Sequence, residues 1–164
     1  MRLRVRARKD GGVTVWMIPP LLAQFVRELP ALLDSDRPEV ATRRLFPDPS
    51  DDAEIAAEWR RAQHPELFAL LADARSIVGS DIQSLGPART GRSFHVRIAA
   101  GHVPAWISAL NAARLTLGAV HDVTAADMDP YRAPTFDGRG LAILRIDLFA
   151  WLQGTLIEAV SPDA

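Results

Sequence analysis

Arg2, Arg4, Arg6 and Arg8 alternate with Leu3, Val5 and Ala7 at the start of the chain. On a strand, period-two spacing sends the guanidiniums to one face and the apolar side chains to the other. Guanidiniums stay charged at every working pH and match carboxylates and phosphates in shape. Such a face can therefore take an acidic protein surface or a nucleic-acid backbone. Trp16 has the opposite parity to Val15 and Met17 in the next apolar stretch and falls on the same face. His95 and Arg97 join it where a third strand pairs alongside. Arginines beside an aromatic ring on an open sheet can hold phosphates and stack bases. The same residues also suit a solvent-facing strand kept soluble by charge, or a face paired with acidic neighbours.

Other chemistry is thinly provided. The chain has no cysteine, which removes disulfides, thiol nucleophiles, thiol switches and cysteine-based zinc sites together. Lys9, the single lysine, lies in a turn-forming Lys9-Asp10-Gly11-Gly12 stretch, a poor setting for a Schiff base. His64, His95, His102 and His121 contain no i, i+4 pair. Gly86 to Ser93 has the glycine spacing of a phosphate loop, but arginine replaces the lysine and a strand-like alternation follows instead of a helix. Asp51-Asp52 reads as negative charge at a helix N-terminus. No catalytic, metal-binding or cofactor-binding residue is nominated, and no cofactor is expected.

One helix carries polar residues in an unusual place. Val103, Trp106, Ile107, Leu110, Ala113, Leu117 and Val120 recur at helical spacing, and Arg114 falls inside that apolar arc, with Asn111 and Gly118 beside it. A guanidinium there must reach solvent or find an acceptor. The expectation is a structural pairing with a carboxylate, first Asp147 on the last helix and second Glu58.

These residues need elements to position them. With 164 residues, 48% hydrophobic and 24% charged, the chain suits one domain spanning 1–164 with a sizeable core. A net charge of −1 argues against the whole molecule being a nucleic-acid binder. No uninterrupted apolar run of about 18 residues occurs, so neither a membrane span nor a membrane partner is expected. The N-terminus lacks a signal-peptide core, which points to a cytoplasmic protein.

Residues 2–18 read as a hairpin. Pro20 to Leu33 reads as a helix that Pro30 should kink. A short helix ends near Phe46, and another starts at Asp51 with Glu54 as a capping box, Ser50 being the rival cap. His64-Pro65 should break that helix before Leu67 to Val78 resumes it. Phe94 to Ile98 is a short strand, 122–140 a long loop, and Leu141 to Val160 an apolar last helix. In that helix Leu144, Leu148 and Trp151 form the core stripe. Ile143, Ile146, Phe149 and Ile157 then form a second stripe, from which a homodimer is expected. The fold class is α+β, predominantly helical, with a small antiparallel sheet (N-terminal hairpin plus one short strand) packed on about five helices.

Four stretches together carry a resemblance: the hairpin leading into the Leu21 to Leu33 helix; Leu45-Phe46-Pro47 followed by Asp51-Asp52 and an acidic helix through Glu58; Trp106-x3-Leu110-Asn111-x2-Arg114-Leu115-x-Leu117-Gly118; and the closing Trp151-Leu152-Gln153 helix. The chain resembles an actinobacterial family catalogued as a domain of unknown function, some members of which bear the name of the oxidative-stress regulator AosR. The resemblance implies a non-enzymatic regulatory domain that binds a protein, such as a transcription or sigma factor, in a stress response. Some members of that family use a cysteine-pair redox switch; this chain has no cysteine with which to do so. A nucleic-acid-contacting regulator using the arginine face is the second expectation, and an enzyme the third.

Overall fold

The computed structural model describes residues 3–89, 91–129, 135 and 137–160. Strands β1 (Arg4–Ala7) and β2 (Val13–Ile18) pair antiparallel with Val5 opposite Val15. Gly11 closes the turn at φ +80, and Gly12 sits so close to the sheet that a Cβ would lie 2.7 Å from the Ile98 carbonyl oxygen. Only glycine fits there. Strand β4 (Phe94–Ile98) pairs antiparallel with β2, and a two-residue strand β3 (Gly86–Pro87) adds to its far side, in the order β1-β2-β4-β3. The phosphate-loop-like stretch is therefore the turn from β3 to β4, and no helix follows it to hold a phosphate.

Five α-helices complete the described fold: α1 (Pro20–Leu32), α2 (Glu39–Leu45), α3 (Ala53–Ile82), α4 (Val103–Val120) and α5 (Gly138–Val160). The protein is thus a predominantly helical α+β domain with a small antiparallel sheet. Val13, Val15, Val96 and Ile98 on the inner sheet face join Leu22, Val26 and Leu29 of α1 and Trp106 and Leu110 of α4 in one core. Helix α4 is central. It buries Ala109, Ala112 and Thr116 as well as the expected leucines, so its covered arc is rotated away from Arg114.

Several expectations are corrected. Pro30 sits in the last turn of α1, two residues before the helix ends. Helix α3 runs unbroken through Pro65. Pro65 and Arg61, whose carbonyl loses its donor, are both exposed, so solvent can supply the missing bond. A ring cluster of Phe46, Trp59, His64 and Phe68 packs across the same turn. The N-cap of α3 is Asp52, which accepts from the amides of Glu54 at 2.9 Å and Ile55 at 3.2 Å, while Ser50 accepts from Asp52 itself.

In α5 the core stripe lies between the two expected ones: Ala142, Ile146, Phe149, Leu152 and Leu156 are buried, Leu148 and Trp151 pack partly buried against the same core, and Leu141, Leu144 and Ile157 are exposed. Ile146 and Phe149 are therefore covered within one chain and supply no second interface. By length and mean hydropathy (1.4) α5 could cross a membrane. It also carries the core-facing stripe, and its Arg145 pairs with Glu28 of α1 at 2.8 Å.

Part of the expected 122–140 loop is ordered as a 3-10 helix, Ala125–Met128, capped reciprocally by Thr124 and Asp127. The Thr124 amide donates to Asp127, which also accepts from the Thr124 hydroxyl and the Arg139 guanidinium. Those donors hold the Asp127 carboxyl well below the usual carboxylate range, the Thr124 backbone contributing most. Pro130, Tyr131, Pro134 and Phe136, the apolar residues of that expected loop, lie outside the described residues.

Candidate functional site

The outer face of the sheet is built by cross-strand register. Arg6 lies opposite Thr14, and Thr14 opposite Arg97, forming one row across three strands. Arg4 lies opposite Trp16, whose indole stacks on the His95 ring at 4.9 Å between centroids and 20° between planes, forming a second row. The sheet therefore brings Arg4, Arg6, Trp16, His95 and Arg97 together on one face, as their parity requires. Thr14 is buried at 6% exposure even on this outer face, in the row between Arg6 and Arg97.

A bulge aims the tryptophan. Between the Val15–Val96 and Ile18–Phe94 pairs, β2 spends two residues, Trp16 and Met17, against His95 alone. Met17 takes up the extra residue with φ +61, a left-handed conformation unusual for a side chain of its size. Parity predicts Met17 inward; the bulge leaves it 37% exposed beside Trp16 at 39%.

Arg4, Arg6 and Arg97 make no side-chain ion pair or hydrogen bond among the described residues. Arg8 differs: it is half-buried and paired with Asp10, at the mouth of a shallow pocket of about 520 Å³ shared with Ser80, Ser84 and Arg97. Arg2 lies outside the described residues. The cationic face is thus Arg4, Arg6 and Arg97 around the Trp16–His95 stack, and such an arrangement can meet carboxylates or phosphates while offering a flat apolar ring.

The helical motif is placed differently. Trp106, Leu110 and Leu117 are buried in the core, whereas Asn111 is exposed and Gly118 half-exposed. Arg114 is half-buried and donates from Nη1 to Gln153 Oε1 at 2.7 Å, while Gln153 Nε2 donates to the Ile107 carbonyl at 3.2 Å. Among the described residues no carboxylate pairs with Arg114. Asp147 lies on the exposed side of α5 and Glu58 is exposed on α3, so neither faces the α4–α5 seam that Arg114 enters. Trp151 is half-buried against the core.

A polar cluster went unforeseen. Asp81, 8% exposed in the last turn of α3, accepts from Trp106 Nε1 at 2.9 Å, meets His102 Nδ1 at 3.0 Å and accepts from the Ala99 amide at 3.4 Å. It ties α3 to the start of α4 and the end of β4. The signal was present: Asp81 continues the Leu71, Ala74, Val78 spacing onto the buried face, where a carboxylate needs partners. An aspartate–histidine pair can serve acid–base chemistry. Here the carboxylate already holds three groups, which makes it an anchor between elements. Among the described residues no group of three histidine, aspartate or glutamate side chains has a metal-holding arrangement.

No curated protein and no solved structure matches this chain. A family described as a domain of unknown function, DUF2017, matches residues 6–160, which takes in the motif on α4 and the sheet face from Arg6 onward but not Arg4. The chain belongs to that family.

Proposed function

We propose that this protein is a non-enzymatic regulatory protein that works by binding another protein through the outer face of its sheet. The observation that carries this reading is the grouping of Arg4, Arg6 and Arg97, none of them ion-paired among the described residues, around the stacked Trp16 and His95. Surface arginines without partners are available for an incoming carboxylate, and an exposed tryptophan beside them is the residue type that anchors interfaces. The partner surface is acidic with an apolar group at its centre. Following the resemblance on the Trp106 to Gly118 motif, a transcription or sigma factor acting in a stress response is the partner class. Regulation runs without a cysteine switch, since the chain has none.

The same face favours a second reading, in which single-stranded nucleic acid stacks on Trp16. The overall charge of −1 ranks it second, because phosphate-backbone affinity grows with the number of cations that neutralise it. Arg4→Glu combined with Arg6→Glu tests both. Co-purification of a defined protein at ordinary salt, lost in the double variant, with no shift of a labelled oligonucleotide, supports the protein partner. A salt-dependent oligonucleotide shift lost in the same variant selects the second reading. Unchanged co-purification overturns the choice of face.

A further inference from the structure

A separate cleft lies on the far side of α4, and it gives the polar residues of the Trp106 to Gly118 motif a common location. It measures about 700 Å³ and runs between α2, α4 and the 3-10 helix. Asn111, Arg114 and Gly118 succeed one another at i, i+3 and i+7, so they form one stripe along its floor. Arg44 of α2 faces the same space and has no ion-pair partner among the described residues. The Nε of Arg114 is fully buried without an acceptor, although its Nη1 is satisfied by Gln153. Val40 at 52% exposure and Met128 at 39% stand at the walls as apolar groups facing water, with Leu115 between them.

We infer that this cleft is a binding site for a small amphipathic anion, with one carboxylate or phosphate group on an apolar body. Its volume is that of a small-molecule pocket. The charge balance suits an anion: Arg43 is neutralised by Glu39, and Asp122 opposes one of the two remaining arginines, leaving one net positive charge. A headgroup held by Arg44, Arg114 and Asn111 leaves the ligand's apolar body against Val40, Leu115 and Met128. Gly118 lines the same space. A Cβ built there meets no atom within 4 Å, so neither backbone strain nor close packing requires glycine, and a larger side chain would extend into the cleft.

This site shares no residue with the sheet face, so it can fail while the proposed function stands. The probes are octanoate and octyl phosphate, with octanol and acetate as controls lacking the charge or the tail. Titration is followed by amide shifts of the labelled full chain. Saturable shifts at Asn111, Leu115 and Gly118 are expected for the two amphipathic anions, with affinity at least about tenfold above either control. Arg44→Ala, exposed on α2, should weaken binding about tenfold. Gly118→Leu should abolish saturable binding while leaving the melting temperature unchanged or raised, because glycine is the weaker helix former. Absence of saturable binding by both anions overturns the inference, as does equal binding of octanol or binding that survives Gly118→Leu.

Discussion

Asp81 and the outer sheet face are two polar regions of one small molecule, and their hydrogen-bonding capacity is used in opposite ways. Asp81 is buried and its carboxylate is taken up by Trp106, His102 and Ala99. Arg4, Arg6 and Arg97 are exposed and unpaired among the described residues, next to an aromatic stack that covers no core. A buried charge must be satisfied for the fold to form, whereas an exposed cation costs the fold little and stays available. The difference separates residues that hold the structure from residues that meet a partner. The two regions also lie near one another, since Ser84 bonds both the Asp81 carbonyl and the Arg97 backbone. The anchor therefore fixes the strand that presents Arg97.

The comparison breaks most visibly at Asp81. Asp81→Ala should lower unfolding free energy by about 3 kcal/mol, because it leaves the Trp106 indole and the Ala99 amide without an acceptor. Asp81→Asn keeps one oxygen for Trp106 and should cost less; denaturant midpoints of both variants check the order. Gly12→Ala, which drives a Cβ into the Ile98 carbonyl, should cost about 2 kcal/mol by the same measurement and disturb the β1–β2 edge.

Arg114→Ala should cost only about 1 kcal/mol, since it strands a neutral Gln153 and no buried carboxylate. A loss of about 3 kcal/mol would mean an acidic partner after all.

Acid sharpens the contrast from another side. The carboxyl of Asp127 sits below its unfolded value, so its stabilisation is full above about pH 4 and is lost as pH falls through the lowered folded value. Amide exchange should therefore show the 3-10 helix Ala125–Met128 still protected near pH 4 and opening only in stronger acid. The smallest effect on stability belongs to Arg4→Glu and Arg6→Glu, each within about 0.5 kcal/mol, even though both should abolish partner capture.

Much of this was legible in the sequence. Strict alternation from Arg4 to Ala7 and from Phe94 to Ile98 gave strands of the right face, because a half-buried strand writes its burial directly into period two. Four of the helices followed from the 3.6-residue spacing of their apolar residues, though not the continuity of α3. The bulge at Met17 was not legible, since an extra residue in one strand leaves no local mark until its partner is known. Pro65 misled because a helix interior tolerates proline where the orphaned carbonyl meets solvent, which sequence does not display. In α5, leucine and isoleucine occupy most of the circumference, so hydrophobicity could not choose between stripes and the neighbours decided. Arg114 was rightly singled out but wrongly paired, because a half-buried guanidinium accepts an amide oxygen as readily as a carboxylate. Asp81 lies past the Leu67 to Val78 stretch in which the helix was expected, yet its spacing places it on the buried face of α3.

The central claim is that the arginine face is where a protein partner sits. A photo-cross-linking residue placed at Trp16, in the cells the protein comes from, tests it most directly, with the exposed Glu66 on α3 as the control position. The account predicts one defined protein adduct from position 16, absent from position 66 and abolished by Arg4→Glu with Arg6→Glu. Nucleic acid in place of protein at position 16, or the same adducts from both positions, would contradict it.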